Sequence, residues 1–215
     1  YNWERSDTAG GNMGLVLGKP ILGRVPAGQT AVILGNGVNS TSEKAVLIVL
    51  NLDTGAVIQQ IDTGVGSVST PNGLSAPVGV YDQDGKTIRY VYAGDMLGNV
   101  WKFDLNGAGS ATRLFTAVGP ASNVQPISGG LAVAIHPVTK KRWVFFGTGR
   151  FLTTGDADST SVATQSMYGF EDTGTTLTRA NLQSRGAPVV SGNVRTFQAK
   201  ASWPGVTPRR SAVRR

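Results

Sequence analysis

Few residues of this chain have the types and spacing that chemistry requires. Asp156, Asp158 and Thr160 place side-chain oxygens at alternate positions, as the ligands of a calcium loop do. The glycine and the distal acid of such a loop are missing here. The stretch therefore predicts either a marginal metal site or, as the simpler interpretation, a polar surface loop.

Nucleophilic and thiolate chemistry find little support in the sequence. His136 is the only histidine, and it precedes Pro137 at the end of a predicted strand. No second histidine or serine nucleophile elbow accompanies it, so we interpret His136 as a turn residue. The chain has no cysteine, which excludes disulfides and thiolate metal sites.

The composition describes a folded, glycine-rich chain. Its 215 residues include 29 glycines and are 40% hydrophobic, enough apolar surface for a core and too much for disorder along the whole length. No apolar run approaches the ~20 residues that span a bilayer. Five of the 20 basic residues follow position 199, and the other 15 face 13 acidic residues, so the body lacks a basic stripe for nucleic acid.

Short apolar segments separated by Gly, Asn, Asp, Ser and Pro run along the chain. Several alternate between apolar and polar side chains, as at residues 88–92 and 100–103, which is typical of half-buried strands. No window shows the 3.6-residue apolar period of an amphipathic helix. We therefore predict a nearly all-β fold, with strands at residues 30–34, 45–50, 57–61, 78–81, 88–93, 100–105, 113–116, 131–135, 142–146 and 166–170.

These strands recur as a unit. Each copy contains a strand, a second strand that ends in a glycine turn, and a third strand that ends in an acidic turn. Gly35, Gly94 and Gly147 mark the copies at intervals of 59 and 53 residues. We attribute these glycines to turns whose backbone needs a positive φ. A repeat of this length with three or four strands is typical of β-propeller blades.

The length accommodates only part of a ring. At one repeat per blade the chain holds about three to four blades, whereas propellers close with about four to eight. We therefore predict a partial β-propeller over residues 1–195 and a divergent basic tail over residues 196–215. The propeller would belong to a larger ring or complete one with another chain. The first residues carry no signal peptide, so we expect the numbering to begin inside a longer precursor.

Four stretches follow one another along the chain as a set of motifs: WERSD at 3–7 with MGLVLGKP at 13–20, LGNGVNS at 34–40, YAGDMLGNVWKFDL at 92–105, and FGTGRFL at 146–152 with QSMYG at 165–169. In this order they resemble the motifs of one family, the C-terminal propeller of the PilC/PilY-type tip adhesins and biogenesis factors of type IV pili. The similarity covers residues 3–172, with Val38 where tyrosine is common in that family. After about Arg195 the sequence departs from the family pattern.

The resemblance implies a secreted, non-catalytic protein of the bacterial cell surface that is associated with pili. Members of the family support pilus biogenesis, twitching motility and adhesion to host or abiotic surfaces. The expected partners are pilins or minor pilins and an unidentified surface ligand. Neither nucleic acid nor a membrane span is expected.

The resemblance also implies calcium, which the family binds in a loop just before the strand that carries the YAGD motif. Asp82, Asp84 and Gly85 fit the third, fifth and sixth positions of such a loop. The first and ninth positions fall on Val80 and Ile88, which offer no side-chain oxygen. The stretch predicts a weak calcium site at Asp82 and Asp84, or simply an Asp-Gly hairpin turn.

Two other functions compete with the pilus interpretation. A degenerate or truncated propeller copy without activity would account for the short length, the incomplete calcium loop and the divergent tail. An enzyme of the quinoprotein type would group calcium, a carboxylate and an arginine in a central funnel. The sequence offers no clear grouping of that kind.

Overall fold

The computed structural model describes residues 3–6, 11–158, 163–184, 189–191 and 194–196. The chain divides into two compact units, Tyr1–Arg179 and Ala180–Arg215. Except for Thr196, the predicted tail at residues 196–215 lies outside the described residues. Within the described part, none of the helices has the length and apolar character needed to cross a membrane.

Strands dominate the described residues, with 3₁₀ helices only at Thr154–Ala157 and Arg179–Asn181. All ten predicted strands are present, with ends shifted by at most three residues, except that the strand predicted at 57–61 extends to Gly66. The strands are β1 (Ile21–Arg24), β2 (Thr30–Gly35), β3 (Lys44–Asn51), β4 (Val57–Gly66), β5 (Val78–Tyr81), β6 (Ile88–Gly94), β7 (Asn99–Asp104), β8 (Ser110–Thr116), β9 (Ala132–Ile135), β10 (Arg142–Gly147), β11 (Met167–Glu171), β12 (Leu177–Thr178), β13 (Val189–Ser191) and β14 (Val194–Thr196).

Three sheets form the first unit. Sheet 1 has the order β1-β2-β3-β4, sheet 2 the order β12-β8-β7-β6-β5, and sheet 3 the order β11-β10-β9. Successive strands pair antiparallel, and only the two-residue β12 pairs parallel, with β8. Strands β13 and β14 pair with each other in the second unit. Each predicted repeat is thus one meandering sheet.

The sheets stack through side chains that alternate between their two faces. Ile33 of sheet 1 and Val91 and Phe103 of sheet 2 are fully buried in one apolar cluster. On the other face of sheet 2, the ring of Phe115 lies 5.8 Å from that of Phe146 and 5.3 Å from that of Phe170 in sheet 3. Face-to-face stacking of meandering sheets is the arrangement of propeller blades.

The segment before β1 covers the remaining face of sheet 1. Val46 and Ile48 of β3 point away from sheet 2 and are buried in a second cluster, against which Met13 and Val16 pack. Burying apolar side chains on both faces of β3 removes them from water, which is the main source of stability in such a layer.

One sequence prediction about the repeating glycines is wrong. Gly35, Gly94 and Gly147 do not have positive φ; the left-handed turn glycines are others, among them Gly37 and Gly98. Gly35 is needed because a Cβ there would overlap the carbonyl oxygens of Leu74 and Ser75 in the segment that leads to sheet 2. Close approach between chain segments, rather than turn conformation, requires this glycine.

We predict that Gly35→Ala lowers the free energy of unfolding by about 2 kcal/mol or more, because rigid backbone must move to admit the methyl group. The melting temperature should fall by roughly 4–8 °C for a domain of this size. Gly147→Ala is the matched control, since a Cβ there meets no atom within 4 Å. Thermal unfolding of both variants makes the measurement, and equal melting temperatures would contradict the close-approach explanation.

Candidate functional site

Asp82 and Asp84 lie in the hairpin between β5 and β6. Asp84 Oδ1 accepts hydrogen bonds from the amides of Lys86 and Thr87, both at 2.8 Å, and Oδ2 accepts one from the Thr87 hydroxyl at 2.6 Å. These hydrogen bonds, led by the Thr87 hydroxyl, lower the pKa of Asp84 to about 2. Gly85 follows with a left-handed φ of 65°. The Asp-Gly hairpin turn is therefore present in the structure.

The same hairpin borders a cavity of about 370 Å³ that also contacts Arg89 and Asn106. Both oxygens of Asp84 already accept local hydrogen bonds, and the guanidinium of Arg89 brings positive charge to the cavity. Among the described residues, no three His, Cys, Asp or Glu side chains are grouped to hold a metal ion. These residues as placed do not fit a dedicated calcium site, and calcium binding at Asp82 and Asp84 stays a prediction.

The carboxylate of Asp156 organises the loop after β10. Its Oδ1 accepts from Nε of Arg150 at 2.9 Å, and its Oδ2 accepts from the amides of Leu152 and Thr153 at 2.9 Å each. The Leu152 amide and the Arg150 guanidinium hold the pKa of Asp156 well below its usual range. The carboxylate thus serves the loop itself, which supports the surface-loop interpretation at Asp156; Thr160 lies outside the described residues.

Asn36, directly after Gly35, is fully buried and joins three segments of the chain. Its Oδ1 accepts from the amides of Val46 in β3 and Leu74 beyond β4, both at 3.0 Å. Its Nδ2 donates to the carbonyls of Asn12 and Lys44, both at 2.8 Å. One amide side chain therefore ties the β2–β3 turn to the segment before β1 and to the segment that leads to sheet 2.

Asp95 holds the matching position in sheet 2, directly after Gly94, and is also fully buried. Its Oδ1 accepts from the amides of Leu97 at 3.0 Å and Asn99 at 2.8 Å. Its Oδ2 accepts from the side chains of Asn72 at 3.0 Å, Asn99 at 2.9 Å and Trp101 at 2.8 Å. Five donor groups satisfy a buried carboxylate that would otherwise be very costly to remove from water.

Sheet 3 uses hydroxyl and amide groups at the corresponding place. Thr148 follows Gly147, and its hydroxyl accepts from the amide of Ser166 at 2.8 Å. Gln125, fully buried, donates to the Ser166 hydroxyl at 3.0 Å and accepts from the hydroxyl of Tyr168. A polar residue after the repeating glycine therefore closes the same turn in all three sheets.

The sequence analysis quoted the motifs that contain Asn36 and Asp95 but assigned neither residue a role. A signal was present, because both directly follow a repeating glycine. Their partners Leu74 and Asn72 lie 38 and 23 residues away along the chain, respectively, which no local pattern indicates.

An ion pair joins sheets 2 and 3. Lys102 Nζ lies 2.7 Å from Asp172 Oδ2, whose side chain is only 3% exposed, and the hydroxyl of Tyr92 donates to the same oxygen at 2.6 Å. Burial would raise the pKa of Asp172, but the hydrogen bonds from Lys102 and Tyr92 outweigh it and lower the pKa. Burial and the Asp172 carboxylate raise the pKa of Tyr92. The ammonium of Lys102 also lies 4.7 Å from the ring centroid of Tyr90.

His136 lies partly buried in the hairpin between β9 and β10. Its Nδ1 accepts from the amides of Val138 at 3.3 Å and Thr139 at 3.1 Å, which confirms the turn role expected from the sequence. The described polar side chains with several partners are thus engaged in holding turns and joining sheets.

Stacked antiparallel sheets, each closed by the same polar turn, define a protein of the β-propeller class. The chain belongs to the PilY1 β-propeller family, whose model matches residues 4–113. This confirms the family and the all-β propeller fold indicated by the four motifs.

Similar proteins carry the family name and are much longer. The type IV pilus biogenesis factor PilY1 homolog of Xylella fastidiosa strain Temecula1 is 40% identical over 176 residues, covering 81% of this chain and 14% of the relative. The type IV pilus biogenesis factor PilY1 of Pseudomonas aeruginosa strain PAO1 is 32% identical over 216 residues, covering 85% of this chain and 18% of the relative. The crystal structure of the P. aeruginosa PilY1 C-terminal domain superimposes with a TM-score of 0.75 at 28% identity, covering 84% of this chain and 44% of that one.

We predict that Asp95→Asn lowers the free energy of unfolding by about 3 kcal/mol or more. An amide in either orientation presents an NH₂ group to donors and leaves at least two of them unpaired, at about 1–3 kcal/mol each. Urea unfolding of the purified variant measures the loss. Asp53→Asn, an exposed aspartate in the β3–β4 turn, is the control and should change little. Equal unfolding midpoints for the two variants would overturn the role assigned to Asp95.

We predict that Lys102→Met is destabilising at neutral pH and that the effect fades in acid. Because folding lowers the pKa of Asp172, its contribution to stability is complete above the ordinary value of 3.8 and is lost as the pH falls through the lower folded value. The loss at pH 7 should be about 2–4 kcal/mol, since Asp172 stays buried without its cation.

Urea unfolding between pH 7 and pH 3 measures this dependence. Lys44→Met is the matched control, because the Lys44–Asp62 pair is about 40% exposed on both sides and should contribute at most about 1 kcal/mol. A Lys102→Met effect that stays constant down to pH 3 would contradict the assignment to Asp172.

Proposed function

We propose that this chain forms part of a non-catalytic protein that supports the biogenesis of type IV pili. The observation that carries the proposal is the similarity to relatives named type IV pilus biogenesis factor, together with the family match over residues 4–113. The chain spans less than a fifth of the length of those relatives, so their activity is extended to it here as a proposal.

The buried polar side chains bind to other parts of the chain, which supports a structural role. Asp95 and Asp172, the most enclosed carboxylates of the sheets, are committed to hydrogen bonds that close turns and join sheets. A protein that transmits load at a cell surface needs such rigid, cross-linked layers, whereas a catalytic site needs a polar group directed at a substrate. Catalysis is therefore not part of the proposed function.

The partners and the location follow from the proposed function. Pilins or minor pilins of the type IV pilus would be bound directly, and the protein would be extracellular and associated with pili. Adhesion to a host or abiotic surface and support of twitching motility extend the same proposal. Modulation by calcium is the least supported part of it, because Asp84 is engaged within its own hairpin.

The structure offers an argument against the alternative of a degenerate copy. A copy released from selection accumulates unpaired buried polar groups, because most substitutions destabilise. Here the buried Asn36, Asp95 and Gln125 have hydrogen-bond partners for both of their side-chain polar atoms. Among the described residues, four buried side-chain atoms have no partner, a number that is usual for native proteins. This observation favours a chain that still needs its fold.

We predict that the protein travels with pili. Surface fibres are sheared from wild-type cells and from a strain that lacks the pilus assembly machinery, and this chain is quantified in each sheared fraction. At least about a tenfold loss from the mutant fraction is expected, because a pilus-bound protein leaves the surface with its fibre. An unrelated outer-surface protein provides the loading control. Equal recovery from both strains would contradict the proposal.

A further inference from the structure

The sequence contains three Asn-Gly pairs, at 36–37, 72–73 and 106–107. In such a pair the backbone nitrogen of the glycine can attack the side-chain carbonyl carbon of the asparagine, because glycine has no side chain that obstructs the approach. A cyclic imide forms, ammonia leaves, and water reopens the ring to aspartate or isoaspartate. The reaction needs a glycine amide without a hydrogen-bond acceptor, a carboxamide that can turn, and space around both groups. The structure separates the three pairs by these requirements.

The first pair, Asn36 and Gly37, is closed to this reaction. The carboxamide of Asn36 is fully buried, and both of its polar atoms are hydrogen-bonded. The amide of Gly37 donates to the carbonyl of Leu74 at 3.0 Å. A Cβ on Gly37 would overlap the carbonyl oxygen of Leu15, so the glycine has no space beside it. The attacking nitrogen is therefore occupied, and the imide has no room to form.

The second pair, Asn72 and Gly73, is closed in a similar way. Asn72 is 1% exposed, and its Nδ2 donates to the carbonyl of Val65 at 3.1 Å and to Oδ2 of Asp95 at 3.0 Å. A Cβ on Gly73 would overlap the carbonyl oxygen of Gly37. Loss of the amide here would also place a new carboxylate against the buried carboxylate of Asp95, which like-charge repulsion strongly disfavours.

The third pair, Asn106 and Gly107, is open. Both residues are exposed in the hairpin between β7 and β8. Within the described part of the chain, neither the Gly107 amide nor the Asn106 carboxamide has a hydrogen-bond partner. A Cβ on Gly107 would meet no atom within 4 Å. The attacking nitrogen, the carboxamide and the space that the imide needs are all available at this turn.

Hydrogen bonds fix this turn through its other backbone groups and leave the Gly107 nitrogen unbonded. The amide of Asn106 donates to Oδ1 of Asp104 at 3.0 Å, and the carbonyl of Gly107 accepts from Nε2 of Gln59 in sheet 1 at 2.6 Å. The carbonyl of Asn106 accepts from the amide of Gly109 at 3.0 Å. This last bond polarises the peptide group between Asn106 and Gly107, so it favours loss of the proton from the attacking nitrogen.

We propose that Asn106 is a site of spontaneous deamidation in the folded chain, and that the fold protects the other two Asn-Gly pairs. The Gly107 nitrogen forms a bond to Cγ of Asn106 while the bond between Cγ and Nδ2 breaks. The leaving nitrogen takes up the proton that Gly107 loses and departs as ammonia. One water molecule then hydrolyses either carbonyl of the imide, which gives aspartate or isoaspartate at position 106. No oxidant, reductant or cofactor enters the reaction.

The modification changes the charge of one edge of sheet 2. Asn106 lines the cavity that Asp82, Asp84 and Arg89 also line, so a carboxylate at position 106 makes this cavity more negative as the molecule ages. The related Asp84–Gly85 pair is not expected to react, because the Asp84 carboxylate accepts three hydrogen bonds and an ionised carboxylate resists attack. The proposal rests on the geometry of the turns and is independent of the function proposed above.

Peptide mass spectrometry tests the proposal on the purified chain. The folded protein is incubated at about pH 8 and 37 °C and digested at intervals, and the deamidated fraction is measured at all three asparagines. Asn106 should convert at least about tenfold faster than Asn36 or Asn72. The same incubation in concentrated urea is the control for intrinsic reactivity. There the three rates should agree within about threefold, because unfolding removes the contacts that protect Asn36 and Asn72.

A variant connects the charge change to this residue. Asn106→Gln keeps a carboxamide in the exposed turn, but its longer side chain closes the imide ring much more slowly. The acidic species that ion-exchange chromatography resolves from aged wild type should therefore be absent from the aged variant. An Asn106 that converts no faster than Asn36 and Asn72 in the folded chain overturns the proposal. So does an acidic species that forms at the wild-type rate in Asn106→Gln.

Discussion

The polar residue after each repeating glycine, fully buried in sheets 1 and 2, is the constraint on which the stacked sheets depend. Asn36 and Asp95 lie in the interior with every side-chain oxygen hydrogen-bonded, and several of their donors belong to the connections between sheets. A buried carboxylate or amide is tolerable only when its partners are in place. The turn of one sheet therefore cannot form in its native state without the segment that leads to the next sheet.

Because each turn depends on the next sheet, the sheets resist force together, as the proposed role at the cell surface requires. Leu74 donates to the turn of sheet 1 and forms a bridge with Asp95 of sheet 2, so a single segment holds both turns. The Lys102–Asp172 pair adds a second link, between sheets 2 and 3. Opening one sheet exposes unpaired groups in its neighbour, so force on one sheet is resisted by several.

Much of the fold follows from local sequence pattern, and much of the polar network does not. Apolar alternation located ten strands, and the spacing of Gly35, Gly94 and Gly147 indicated the sheets. The list of predicted strands missed β1, β12, β13 and β14, which have four residues or fewer. The pattern also misjudged why Gly35 is needed, because the atoms that crowd it belong to Leu74 and Ser75. The calcium-loop spacing at Asp84 did not distinguish a metal ligand from a turn residue, because an aspartate can also accept hydrogen bonds from the backbone amides of its own hairpin.

Amide hydrogen exchange of the native chain tests the central claim most directly. If Asn36 and Asp95 tie the sheets together, the amides of Leu74 and Asn99, which donate to them, exchange only through global unfolding and with a common free energy of opening. The amide of Thr87, which donates to the exposed Asp84, exchanges much faster through local opening and serves as the internal reference. Leu74 and Asn99 amides that exchange as fast as that of Thr87 would contradict the account.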